Sequence, residues 1–248
     1  MKVLMFDLEH GSQSIGSHKD IEKMFSYPVM EPSTWDQFQG TIAQIYTKAN
    51  VEVSKKIGSL EIKEMQVHTV PKNGTVIDAV VIDTFSELSK KFMRTLTDRD
   101  GKMKLQQWGQ LKNKLDGCLE FVSQIPGVVV CNCHSKVQTM DDGNNKLIPY
   151  IDGSTKEDIS KWFDFVFYTK TIVNAKNERD YVWVTKRSET YDHAKDRTDL
   201  LATEIPQDYQ LVIDAAKKKG WPGARILIIG SPGSGKTRSL QTLIKETK

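Results

Sequence analysis

Apolar residues along this chain follow two rhythms. Short, nearly unbroken runs occupy residues 2–6, 76–83, 128–133 and 226–229, and polar side chains stand at or just past the ends of the first three: Asp7 and Glu9, Asp83, and His134. Runs of this length are what strands covered on both faces require. Elsewhere the spacing is helical. Trp35, Phe38, Ile42, Ile45 and Tyr46 predict an amphipathic helix to about residue 48, capped by Ser33 with Asp36 at N3. Residues 84–97 read as a second helix. Trp108, Leu111, Leu115, Cys118, Leu119 and Val122 mark a third, with Trp108 on its core face, and Tyr209, Val212, Ile213 and Ala216 a fourth. Residues 11–24 read as loop with a short helix and 26–30 as a short strand. Partial alternation over 61–70 predicts an inserted strand or hairpin, closed by a turn at 71–74. Residues 136–160 are polar enough for an exposed loop or hairpin, and two further strands are expected at 162–169 and 181–186.

Composition narrows this little. The 248 residues carry 38% hydrophobic and 27% charged side chains, the profile of a folded α/β protein with one substantial domain. A formal charge of +3 neither demands nor forbids a nucleic-acid partner. The three cysteines, Cys118, Cys131 and Cys133, point to a reducing compartment. Cys131, Cys133 and His134 do not read as a metal site, because successive strand side chains point to opposite faces. No signal-peptide pattern opens the chain and no apolar run approaches a membrane span, so a cytoplasmic protein is expected.

The chemistry concentrates at residues 230–237, G-S-P-G-S-G-K-T, which fit G-x4-G-K-[ST] between an apolar strand and a segment able to form a helix. Gly230, Gly233 and Gly235 allow a tight turn. With Ser231, Pro232 and Ser234 between them, the backbone N–H groups can face phosphate oxygens. The start of the following helix adds unpaired N–H groups and a favourable dipole. Lys236 is placed for the β- and γ-phosphates of a nucleotide and the Thr237 hydroxyl for Mg²⁺. The metal needs a carboxylate, and Asp83, ending the best buried strand, is the candidate. His134, past the end of its own strand, is placed to sense the γ-phosphate. The loop follows most of the chain. The simplest arrangement is one domain, residues 1–248, in which the last strand slots beside the strands at 76–83 and 128–133. Gly220-Trp221-Pro222-Gly223 marks the junction and residues 50–72 an insertion, and Met1 should lie near Lys248.

With the loop, Asp83 and the segment Phe6-Asp7-Leu8-Glu9-His10-Gly11 assembled, the chain resembles the RecA-like ATPases. More closely, it looks like the small phage-encoded single-strand annealing proteins of the Sak4 type, annexed to phage nucleotide-binding and AAA-domain proteins. There the phosphate loop comes first, followed by the strand with the catalytic glutamate, the Mg²⁺ aspartate strand and the sensor strand. Here that order is reproduced but circularly permuted. The resemblance implies a RecA-like P-loop core with a mostly parallel sheet. It implies that Glu9 activates water, that Asp83 and Thr237 hold Mg²⁺, and that His134 is the sensor. Ala194-Lys195-Asp196-Arg197 resembles the late basic element of the family, which makes Lys195 and Arg197 the residues reaching the ATP of an adjacent subunit.

The activity so implied is Mg²⁺-dependent ATP hydrolysis in a homo-oligomeric ring or filament. It would act on single-stranded DNA in annealing or strand pairing, in the cytoplasm of a phage-infected bacterium, with no membrane association. Three other readings stand beside it. A permuted GTPase would need Asn-Lys-x-Asp, but Asn145-Lys146 is followed by Leu147-Ile148. A nucleotide-gated interaction protein without a DNA role fits the low net charge, and a helicase or loader module would need a second domain.

Overall fold

Chain order does not match spatial order in this fold. The computed structural model describes all residues except 142, 174–176 and 245–248. Its elements run β1 Val3–Asp7, α1 His18–Phe25, α2 Trp35–Ile45, β2 Tyr46–Ile57, β3 Leu60–Pro71, β4 Ala79–Asp83, α3 Phe85–Leu96, α4 Leu105–Ser123 and β5 Val128–Thr139. Then come β6 Asn145–Pro149, α5 Thr155–Asp158, β7 Phe165–Val173, β8 Arg179–Val184, β9 Lys195–Asp196, β10 Glu204–Pro206, α6 Tyr209–Lys218, β11 Ala224–Gly230 and α7 Lys236–Ser239. The main sheet has the order β1-β4-β5-β11-β7-β8-β10, with β6 on β5 and β9 on β7. Strands β1, β4, β5, β11 and β7 are mutually parallel; β8 runs antiparallel to β7, and β10 antiparallel to β8.

The unbroken apolar runs are explained by burial on both sides. Leu4, Phe6, Val80, Ile82, Val129, Cys131, Leu227 and Ile229 face one layer, packed with Trp35 and Phe38 of α2, Phe85 and Leu88 of α3, and Leu111, Leu115 and Leu119 of α4. The alternate residues Val3, Met5, Val81, Val130, Ile226 and Ile228 face a second layer, built from Ile21 and Phe25 of α1 and Tyr209, Val212 and Ile213 of α6. Burying a Val, Leu or Ile side chain stabilises by about 1.5–3 kcal/mol, so this doubly covered sheet supplies most of the driving force.

Several expectations need correction. Strand β11 lies between β5 and β7, so it touches the strand at 128–133 but is one strand removed from β4. Residues 26–30 form no strand; Met30 makes a single bridge to Phe6. The cap of α2 is Thr34, whose Oγ1 accepts the Gln37 N–H at 3.2 Å, while Ser33 donates its N–H and hydroxyl to the Gln37 side chain. Helix α2 stops at Ile45 because β2 begins at Tyr46, making the inserted hairpin longer than its alternation suggested. Trp108 is 40% exposed; it sits one turn ahead of the buried Leu111–Leu115–Leu119 stripe, and its ring edge meets the turn at Gly153. Of the segment expected as loop or hairpin, residues 135–139 and 145–149 pair as the β5–β6 hairpin, and Ile148, Ile151 and Ile159 are buried and not exposed. The proximity of Met1 to Lys248 falls on a residue outside those described.

Candidate functional site

Register brings the polar residues together. In the sheet, Asp7 pairs with Asp83, Asp83 with Asn132, and Asn132 with Ile228, while His134 pairs with Gly230. All stand at the C-terminal ends of parallel strands, where open α/β sheets leave a crevice. The crevice is a cavity of about 460 Å³ whose walls include Glu9, Asp83, Thr84, His134, Gly233, Gly235, Lys236 and Thr237.

Each side chain in it is held. Thr237 donates its hydroxyl to Asp83 Oδ2 at 2.6 Å, and Asn132 Nδ2 donates to Asp83 Oδ1 at 3.1 Å. Burial pushes the Asp83 carboxyl above its ordinary range, against the lowering effect of the Thr237 and Asn132 bonds. A buried carboxyl group hydrogen-bonded by neutral donors, with a hydroxyl oxygen against it and the Lys236 charge nearby, is a hard-oxygen pair suited to Mg²⁺, which commonly takes one or two protein ligands. Lys236 is 5% exposed and donates to the Gly230 and Ser231 carbonyls at 2.8 and 2.9 Å. Burial lowers its pKa, opposed by Asp83, Cys133 and Glu9.

The loop itself depends on two glycines. A Cβ at Gly230 would stand 1.7 Å from Thr169 Oγ1, and at Gly235, with φ of 86°, 2.7 Å from Gln207 Oε1. Ser234 ties the loop across itself by donating to the Ser231 carbonyl at 2.7 Å, leaving Ser231, Pro232 and Gly233 exposed at its crest.

Opposite the lysine, His134 Nε2 lies 2.7 and 2.8 Å from the two Glu9 carboxylate oxygens, and Thr84 donates to Glu9 Oε1 at 2.8 Å. Burial raises the Glu9 pKa, but the His134 and Thr84 hydrogen bonds, with the His134 and Lys236 charges, outweigh it; the net direction is down. Glu9 is therefore a carboxylate at neutral pH, able to accept a proton or orient a water. His134 Nδ1 is buried without a partner among the described residues.

Lys195 and Arg197 are not part of this cluster. Asp196 pairs with Phe165 at the start of β7, the end of the sheet away from the loop. Lys195 donates to the Ser160 carbonyl at 2.7 Å and Arg197 to Asp164 Oδ1 at 3.1 Å. Within one chain they do not reach the crevice.

Three positioning residues escaped the sequence reading. Asp7 is buried and accepts N–H groups of Glu9 (3.2 Å), Gly11 (3.0 Å) and Ser12 (2.8 Å), folding the turn that presents Glu9. Thr84 and Asn132 hold Glu9 and Asp83. The signal for Asn132 was available: it is the one polar residue in an otherwise apolar run.

No curated protein and no solved structure matches the chain. The family model described as an AAA domain matches residues 1–198, a span holding Glu9, Asp83, His134, Lys195 and Arg197 but ending before the glycine-rich loop. Among the described residues no helix is long and apolar enough to cross a membrane. With four-fifths of its length matched and a lysine-bearing phosphate loop in its central crevice, this chain belongs to the AAA domain family, a nucleotide-binding domain of the P-loop NTPase type.

Proposed function

We propose that this chain is a circularly permuted RecA-like ATPase that hydrolyses ATP with Mg²⁺, resembling phage Sak4-type single-strand annealing proteins. The observation that carries the reading is the joint placement of Lys236, the Thr237–Asp83 pair and the His134-bound Glu9 around one crevice. Support for the permutation is topological: β11, made after β7 and β10, lies between β5 and β7 and delivers the phosphate loop beside strands far earlier in the chain.

The loop N–H groups and Lys236 stabilise the triphosphate, Lys236 exchanging its two carbonyl partners for phosphate oxygens. Asp83 and Thr237 hold the metal, which when bound neutralises charge on the β- and γ-phosphates. Glu9 orients or deprotonates the attacking water, and His134 links that carboxylate to the occupancy of the γ-phosphate site. Lys195 and Arg197 act on the ATP of an adjacent copy in a ring or filament, releasing their present intrachain partners. Single-stranded DNA binds the assembled form chiefly through its phosphates, and annealing or strand pairing follows.

The test is steady-state ATP hydrolysis by wild type, Glu9→Gln and Arg197→Ala, each with and without single-stranded DNA. Unaltered turnover in Glu9→Gln would remove its role; unaltered turnover in Arg197→Ala would remove the action between subunits. A second reading, a nucleotide-gated interaction protein without a DNA role, is favoured by the β2–β3 hairpin, whose Ile57, Leu60, Met65 and Val67 are more than half exposed. Absence of salt-dependent binding to labelled single-stranded DNA would select it.

A further inference from the structure

A second, smaller cleft of about 260 Å³ adjoins the phosphate crevice and shares three wall residues with it: Tyr181, Gly235 and Arg238. Its other walls include Gln207, which follows β10, and Gln241, just past α7. Tyr181 comes from β8 and lies against the loop. A Cβ at Gly235 would stand 3.5 Å from its ring, so the glycine lets the loop and the aromatic face approach closely. No other aromatic ring stacks on Tyr181 among the described residues. Arg238 directly follows Thr237 and is exposed, and its guanidinium makes no ion pair or hydrogen bond among the described residues.

The two carboxamides give the cleft a polarity. Gln207 donates its Nε2 to the Ser234 carbonyl at 3.1 Å, and Gln241 donates its Nε2 to the Ile15 carbonyl at 3.4 Å. Gln207 donates to the Val182 carbonyl as well, at 3.5 Å, so both of its N–H groups are used on main-chain oxygens and what it has left is its Oε1 acceptor, which lies beside Gly235; Gln241 keeps one N–H as well as its oxygen. An acceptor pairs with the exocyclic amine of adenine and repels the exocyclic oxygen of guanine.

We infer that this cleft is the base subsite of the nucleotide, taking a purine with an amine in place of guanine's 6-oxygen. The base stacks on Tyr181, the Arg238 guanidinium covers its outer face, and its amine meets the Gln207 oxygen. The inference rests on the nucleotide-binding reading above and adds to it the source of base recognition, which the phosphate loop cannot supply.

Titration calorimetry of the whole protein with ATP, GTP and inorganic tripolyphosphate, all with Mg²⁺, tests it. Wild type should bind ATP more tightly than GTP by about tenfold or more, and tripolyphosphate most weakly. Tyr181→Ala should weaken ATP on the order of 10- to 100-fold while leaving tripolyphosphate unchanged, and Tyr181→Phe should retain wild-type ATP affinity. Equal weakening of ATP and tripolyphosphate in Tyr181→Ala would make Tyr181 a support for the loop and overturn the subsite. Equal wild-type affinities for ATP and GTP would overturn the amine recognition, and equal affinities for ATP and tripolyphosphate the base contact altogether. A wild type that binds none of the three would remove the nucleotide reading itself, an outcome distinct from the others.

Discussion

The main sheet and the β2–β3 hairpin both carry Val, Ile and Leu and treat them as opposites. Val80, Val81 and Ile82 in β4 and Ile226 to Ile229 in β11 are wholly buried, whereas Ile57 is 67% exposed and Leu60 61%. The hairpin pairs twelve residues on each side; its base is buried at Tyr46 and Thr69, but among the described residues no further strand joins it. From the register, Val51, Val53, Ile57, Leu60 and Ile62 share one face, and the Lys55–Glu64 and Lys63–Glu52 bridges hold the strands together across it and its reverse. Exposed bridges of this kind contribute about 0–1 kcal/mol. Strand formation and burial are thus separate achievements here. Only the doubly covered sheet can hold Asp83, Asn132 and His134 in fixed register, and the crevice is built there.

The sharpest way to break this comparison is at the site. Lys236→Ala should lower ATP turnover about 10²–10³-fold through loss of one preorganised donor, with the far-ultraviolet spectrum unchanged; near-normal turnover would detach the crevice from the chemistry. Next comes the sheet itself. Ile228→Ala should cost about 2–5 kcal/mol of unfolding free energy in urea titration. Between sheet and surface lies Asp196, buried, whose carboxylate accepts from Thr198 N at 2.9 Å, Thr198 Oγ1 at 2.6 Å and Leu201 N at 3.0 Å. Burial raises its pKa, but these bonds and Lys186 carry the net direction down. A depressed folded value stabilises above the unfolded pKa and is lost as pH falls through the folded one. Asp196→Asn should therefore cost about 1.5–3 kcal/mol near pH 7, and the gap from wild type should close as the solution is acidified into the carboxylate range. The smallest effect belongs to the hairpin: Leu60→Ala should change stability by less than about 0.5 kcal/mol, and a larger loss would mean that something covers that face.

Most of the sheet was legible because unbroken apolar runs have one economical explanation, burial on both faces, and because each ended in a chemically pointed residue. The glycine-rich loop was legible for the same reason at the level of spacing. What escaped depends on contacts between distant segments. Asp7 reads as one more acidic residue until the turn it folds is seen, and Thr84 gains its meaning only from Glu9, 75 positions away. One of the two neighbours expected for β11, the strand at 76–83, was misplaced by one strand because apolar runs do not encode their order in a sheet. Trp108 was assigned to the core since its periodicity fits, but periodicity cannot say how far along a helix its covering layer extends.

The central position of β11 bears on how the protein is made. While the ribosome is still translating residues before 224, β5 and β7 can each hold only part of their partners, because the strand that joins them does not yet exist. Their facing edges present open backbone donors and acceptors flanked by Val, Cys and Phe side chains, the kind of surface on which nascent chains associate wrongly. The sheet can close, and the crevice form, only once β11 has been made and takes its place between β5 and β7.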